Sequence, residues 1–141
     1  MQPQELRFGL NGGIPNHPSL PALLYRGALE NATAQAWETR FKENGWGGTW
    51  RWSVFDYHHF HPNAHEALGV ASGSAELRLG GPEGTTVHVE AGDLVVLSAG
   101  TGHKKETASA DFSGGGHLSD RPGKLFFARA RRPQRGGRLS R

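Results

Sequence analysis

The stretch that decides the fold and the function is HHFHPNAHE, residues 58–66. It holds four of the eight histidines of the chain and ends in a carboxylate. A fifth histidine, His103, follows the glycine-rich turn AGTG at residues 99–102. Neutral imidazole nitrogens together with one anionic oxygen suit Zn, Fe, Mn, Co or Ni. The clustering therefore predicts a site for one divalent transition metal.

Alternation along a strand indicates which of these side chains share a face. Residues 50–61 are rich in β-favouring and aromatic side chains, which predicts one extended strand. Side chains of a strand point alternately to its two faces. His59 and His61 therefore face the same way, together with Tyr57, whereas His58 faces the opposite way. The His59-x-His61 pair can thus place two imidazoles on one ion.

The next strand can supply the carboxylate. A turn at residues 62–64 precedes His65 and Glu66, which are neighbours, so only one of the two faces inward on an extended strand. His65 therefore has three open roles: it replaces Glu66 as a ligand, supports a ligand by a hydrogen bond, or faces away from the site.

The rest of the chain predicts short strands and one helix. Apolar residues at helical spacing predict the helix near residues 31–41, capped by Asn31 or Thr33 and stopped at Asn44-Gly45. Residues 113–116 are expected to be flexible. Strands are predicted at residues 66–70, 75–79, 85–89 and 94–97, with a last one at 125–128. Closely spaced short strands favour an all-β sandwich or barrel with a short N-terminal helix outside it.

Length, charge and cysteine content narrow the class of protein. The 141 residues suit one domain, and the absence of cysteine and of a long apolar run favours a cytoplasmic protein with no membrane segment. Half of the sixteen Lys and Arg residues lie in residues 121–141, which contain no acid, so residues 1–120 carry a net charge of −5. We expect one domain over residues 1–115 and a disordered Gly/Arg-rich tail over residues 116–141. Residues 129–141, the Arg-rich part of this tail, lack interleaved aromatic residues, so nucleic acid is not the expected partner.

Two spaced motifs resemble those of the cupin superfamily. The first is His59-x-His61, then four residues, Glu66, six residues and Gly73. The second is Gly92, then five residues, Ser98-x-Gly100, two residues and His103. The resemblance implies a double-stranded β-helix, or jelly-roll barrel. It also implies that one divalent metal is held by the following four ligands: His59, His61, Glu66 and His103.

Three positions depart from the superfamily pattern. Ser53 stands where the first motif has glycine, and Ser98 and Thr107 stand where the second has proline and asparagine. None of the three is a ligand, so the implied metal set is unaffected.

The flanking sequence is similar to one bacterial subgroup of small single-domain cupins, the YjlB-like proteins. The similarity covers roughly residues 6–112 and is clearest at residues 44–46, 61–70 and 98–104. It implies a homodimer, for which the tryptophans near the strands offer apolar interface area.

Two functions remain open on these grounds. The first is a metal-dependent enzyme, such as a dioxygenase or isomerase, that acts on a small polar metabolite, with His65 and Tyr57 as catalytic residues. Three histidines and one carboxylate leave up to two of six octahedral positions for water or substrate, so the metal can polarise an oxygen or lower the pKa of bound water. The second is a cupin that binds or senses a metal-tethered small molecule without turnover. Fold alone does not separate the two.

Overall fold

Nine short strands and one helix form the part of the chain described by the computed structural model, which covers residues 2–43, 50–52 and 56–118. The helix α1 spans Ala34–Glu43. The strands, in chain order, are β1 Gln4–Leu6, β2 Ala22–Tyr25, β3 Trp50–Trp52, β4 Glu66–Ser72, β5 Ser74–Leu79, β6 Thr85–Glu90, β7 Leu94–Leu97, β8 His103–Ala108 and β9 Ser113–Leu118.

The strands form two antiparallel sheets. The large sheet has the order β1-β2-β7-β4-β9-β3, and the small sheet has the order β6-β5-β8. Chain connections repeatedly cross between the sheets, as between β4 and β5 at Gly73, whose φ of 71° suits glycine. The predicted all-β jelly-roll architecture with one short N-terminal helix is confirmed.

The core lies between the inner faces of the two sheets. Alternate residues of each strand are buried there, such as Leu68 and Val70 of β4, which face Leu77 of β5 and Val89 of β6 within one apolar cluster. Burial of each side chain of this size stabilises the folded state by about 1.5–3 kcal/mol. The same alternation turns Glu66, at the start of β4, towards the inside.

Helix α1 covers part of the outer face of the large sheet. Thr33 caps it, because its Oγ1 accepts a hydrogen bond from the Ala36 N–H. Trp37 is 1% exposed and donates a hydrogen bond from Nε1 to the Val70 carbonyl oxygen. A Cβ at Gly69 would lie only 2.2 Å from the Trp37 ring, so glycine makes this approach of helix and strand possible.

Two element predictions are wrong. The single strand expected over residues 50–61 is interrupted: β3 ends at Trp52, residues 56–57 form a bend, and His59 makes an isolated bridge to His103. Residues 113–116 are not a flexible segment, since they belong to β9, which pairs with β4. Helix α1 contacts this strand.

Several predictions lie outside the described residues. They are Ser53, Asn44-Gly45, the strand at residues 125–128 and residues 119–141 of the basic tail. Strand β9 continues to Leu118, past the domain boundary expected at residue 115. In the described ranges of the chain, the structure has no helix with the length and hydropathy needed to cross a membrane.

Candidate metal centre

Backbone hydrogen bonds fasten the first histidine segment to the loop before β8. His59 and His103 exchange two of them: the His59 N–H donates to the His103 carbonyl at 3.2 Å, and the His103 N–H donates to the His59 carbonyl at 2.9 Å. The Gly100 N–H donates to the His61 carbonyl at 2.9 Å. Residues 39 and 44 positions apart in sequence are thereby joined, which brings the two motifs to one place.

The predicted ligands converge at this place. His59, His61 and His103 each offer a ring nitrogen, and these nitrogens lie within 4.8 Å of one another. The ring centroids of His59 and His103 are 4.0 Å apart. Glu66 Oε1 lies 3.1 Å from His103 Nε2 and 3.5 Å from His61 Nε2. The structure therefore brings together all four residues in the predicted set.

The donor atoms fit a divalent cation. Glu66 is 6% exposed and His103 is 2% exposed. The contacts of Glu66 Oε1 with the imidazoles do not have hydrogen-bond geometry, and no described residue gives this buried oxygen a hydrogen bond. A buried carboxylate oxygen without a donor is costly unless something else satisfies it. An ion surrounded by imidazole nitrogens and a carboxylate would do so.

Burial and neighbouring charges set the protonation of the site. Burial, together with the proximity of His103, lowers the pKa of His59 to about 3. Burial by itself would raise the pKa of the Glu66 carboxyl, but His103 and His61 outweigh it and hold that pKa below its ordinary value. At neutral pH, His59 is therefore neutral and Glu66 is anionic, the forms that bind metal.

His65 and Tyr57 differ in their relation to the ligands. His65 is buried, and its Nδ1 accepts a hydrogen bond from the Ala99 N–H at 3.1 Å. Burial and nearby His17 lower the pKa of His65 to about 4, so the ring is neutral at pH 7. Tyr57 is half-buried, and its ring centroid lies 5.9 Å from that of His59. Tyr57 thus stands beside the imidazole cluster, whereas His65 supports the loop that leads to His103.

Ser98 shows how the second motif tolerates its departure from proline. Its Oγ donates to the Leu20 carbonyl at 3.0 Å and lies 2.9 Å from Thr101 Oγ1. The Thr101 N–H donates back to the Ser98 carbonyl. Side-chain hydrogen bonds therefore hold the turn that a proline ring would otherwise restrict.

Sequence reasoning missed Asn16, which is 4% exposed and bonded to the same loop. A polar residue between two prolines, Pro15 and Pro18, gave no sign of a contact more than eighty residues away. The sequence offered one partial signal. Asparagine tolerates a left-handed backbone, and Asn16 has such a backbone, with φ of 54°.

Two antiparallel sheets, with an HxH pair, a glutamate and a later histidine gathered at one place, are the arrangement that the resemblance to cupins implies. No family model matches the chain. Over 107 residues it is 42% identical to the uncharacterized protein YjlB of Bacillus subtilis (strain 168), an alignment that covers 75% of this chain and 63% of that protein. Over these residues the chain is YjlB-like, as its flanking sequence predicts. It spans less than two thirds of the length of this relative.

Two solved structures are similar at lower identity. A DUF861 family protein from Thermotoga maritima is 20% identical, with a TM-score of 0.37, over 57% of this chain and 88% of that one. An acireductone dioxygenase from Bacillus anthracis, solved with a cadmium ion in its active centre, is 19% identical, with a TM-score of 0.41, over 60% of this chain and 56% of that one. Likenesses at this level carry no conclusion about activity.

Proposed function

We propose that this chain is a metal-dependent cupin enzyme that acts on a small polar metabolite, as a dioxygenase, isomerase or related enzyme. The observation that carries the proposal is the buried Glu66 Oε1, which lies 3.1 and 3.5 Å from two imidazole nitrogens without hydrogen-bond geometry. Such an arrangement leaves the carboxylate and the imidazoles available to a common cation.

Four residues would hold the ion, which we take to be one of Mn, Fe, Ni, Co or Zn: His59, His61, Glu66 and His103. When bound, the ion would supply a Lewis acid that polarises an oxygen or lowers the pKa of bound water. The surroundings of the site lower the pKa values of His59 and Glu66, so that His59 is neutral and Glu66 is charged, as metal binding requires.

Tyr57 and His65 have different proposed roles. Tyr57 lies beside His59, so its hydroxyl is our candidate for orienting a substrate or donating a proton. His65 uses Nδ1 to accept the Ala99 N–H. We therefore favour support of the loop of the second motif as the role of His65, in preference to the catalytic role expected from the sequence.

Elemental analysis tests the metal directly. The protein is purified without a chelating column, and we expect roughly one transition-metal ion per chain, as a single mononuclear site implies. His61→Ala should lose most of it. His88→Ala is the matched control, because His88 is exposed on β6 and should leave the metal content unchanged. A His61→Ala protein that keeps its metal would overturn the assignment.

The alternative is a binding or sensing cupin without turnover. The low pKa of His65, about 4, and its hydrogen bond to Ala99 favour this alternative, because they weaken His65 as a proton donor at neutral pH. The two functions separate when the metal-loaded protein is incubated with a panel of small polar metabolites. Depletion of one compound, absent with His61→Ala, supports an enzyme. A spectral shift on binding without depletion supports a sensor.

We also propose a homodimer, as the resemblance implies. Beside α1, a cavity of about 380 Å³ on the outer face of the large sheet is lined mainly by apolar side chains, including Tyr25, Phe41 and Val96. Apolar surface of this kind is common in homodimer interfaces. Light scattering coupled to size-exclusion chromatography tests the proposed homodimer. A monomeric mass at micromolar concentration would contradict it. The cytoplasmic location stays a prediction.

A further inference from the structure

We propose that Asn16 is a positioning residue for the metal centre. It holds the loop of residues 100–102, from which His103 enters the site. The inference rests on the proposed metal function and adds to it a part of the chain that lies far from both motifs in sequence.

Asn16 makes contact with both ends of this loop. Its Oδ1 accepts a hydrogen bond from the Gly102 N–H at 3.0 Å, and its backbone N–H donates to the Gly100 carbonyl at 2.9 Å. Its Nδ2 donates to the Gly80 carbonyl at 2.9 Å and to the Gly9 carbonyl at 2.7 Å. One side chain thus joins the N-terminal segment, the end of β5 and the loop.

The loop itself is shaped to accept Asn16 and Ile14. A Cβ on Gly102 would lie 2.7 Å from Ile14 Cγ2, and a Cβ on Gly100 would lie 3.0 Å from the Asn16 carbonyl oxygen. Gly100 has a φ of 87°, which glycine adopts without strain. The two glycines therefore let the N-terminal segment approach the loop closely enough for the hydrogen bonds to form.

This contact reaches the metal centre through one peptide unit. Gly102 directly precedes His103, and its carbonyl accepts a hydrogen bond from the Gly80 N–H at 2.8 Å. Both polar groups of Gly102 are thus bonded, one of them to Asn16. Without the Asn16 side chain, the buried Gly102 N–H would lack its acceptor, and the loop would relax to find another. A ligand must be held within about 0.5 Å of its productive position, so relaxation at Gly102 would displace His103.

The decisive comparison is between Asn16→Gly and Asn31→Gly. Both asparagines have a left-handed backbone, with φ of 54° and 52°, which glycine adopts as readily. Asn31 is exposed and lies in the turn before α1, so the control repeats the backbone change away from the site. Each variant is titrated with cobalt(II) chloride, and the affinity and the visible d–d spectrum are recorded with the unfolding midpoint.

We expect Asn16→Gly to weaken cobalt binding roughly 10- to 100-fold, as is usual for residues that orient metal ligands, and to alter the d–d spectrum. Asn31→Gly should stay within about threefold of the wild type and keep its spectrum. If Asn16→Gly only lowers the unfolding midpoint and binds cobalt with unchanged affinity and spectrum, Asn16 is structural and the inference is overturned.

A second measurement decides the matter if Asn16→Gly does not fold. Coupling between two sites is reciprocal, so metal bound at His103 should strengthen the hydrogen bond from Gly102 to Asn16. Zinc should therefore slow hydrogen exchange of the Gly102 amide in the wild-type protein. Unchanged exchange at Gly102, with zinc bound, would overturn the inference. Failure of the wild type and of Asn31→Gly to bind any metal would instead overturn the proposed function, and this inference with it.

Discussion

At the scale of single residues, Glu66 brings a negative charge to a group of imidazoles. Glu66→Gln keeps the shape of the side chain but replaces an anionic ligand with a neutral amide. We expect the affinity for a divalent metal to fall at least about tenfold, or ~1.4 kcal/mol, in a calorimetric titration.

Glu106→Gln is the matched control for this substitution. Glu106 lies on β8, as His103 does, but its carboxylate contacts Arg78 and Lys104. Its loss should leave metal affinity within about twofold of the wild type. Equal losses in the two variants would show that general charge, and not ligation, controls affinity.

His88 provides a pH-dependent prediction away from the metal centre. A hydrogen bond with Glu76 raises the pKa of exposed His88, with a smaller contribution from Glu90. Because the folded-state pKa lies above the unfolded value, this pairing stabilises the protein below the unfolded pKa. The contribution is lost as the pH rises through the folded pKa.

NMR titration of the His88 ring checks this effect. Glu76→Gln should lower the pKa of His88 towards its ordinary value, whereas Glu90→Gln should lower it less. A larger shift with Glu90→Gln would contradict the geometry, in which Glu76 makes the closer contact.

The resemblance to the two cupin motifs selected His59, His61, Glu66 and His103, whereas strand alternation indicated only that His59 and His61 share a face. The sequence could not assign a role to His65, because its hydrogen-bond donor, the Ala99 N–H, belongs to a loop more than thirty residues away. Only the folded chain pairs the two.

At the scale of elements, Gly69 decides how α1 lies on the large sheet. Gly69→Ala would place a Cβ about 2.2 Å from the Trp37 ring and displace the helix. We expect a loss of ~1–3 kcal/mol of unfolding free energy, measured by urea denaturation, as for other overpacked sites. Gly9→Ala is the control, since a Cβ there meets nothing within 4 Å.

Gly69→Ala also tests whether the position of α1 affects the metal centre. Gly69 faces outward on β4, whereas Glu66 faces inward, so metal affinity should stay within about threefold of the wild type. A Gly69→Ala protein as stable as the wild type would show that α1 can shift without cost.

Elements were predictable where apolar alternation was regular, as over β5, β6 and β7. Strand β9 was missed because three of its residues are glycines, which carry no alternation and favour turns in isolation. Pairing with β4 and contact with α1 override that local preference.

At the scale of the whole molecule, metal binding should be linked to folding. The four proposed ligands come from two separate segments, residues 59–66 and residue 103, which the unfolded chain does not hold together. An ion at 100 times its Kd should raise the unfolding free energy by about 2.7 kcal/mol. Thermal unfolding with and without EDTA measures this, and His61→Ala should show no shift. Unchanged stability of the metal-loaded wild type would contradict a site assembled by folding.

The amino-acid sequence by itself determined the class of fold and the strands with regular apolar alternation, because these depend on local periodicity, and its resemblance to the two cupin motifs gave the four candidate ligands. Only the tertiary structure decided which carboxylate oxygen lies unbonded among the imidazoles and which residue holds the loop before His103. The physical reason is that a hydrogen bond between residues 16 and 102 depends on how the sheets pack, and packing leaves no local pattern in the chain.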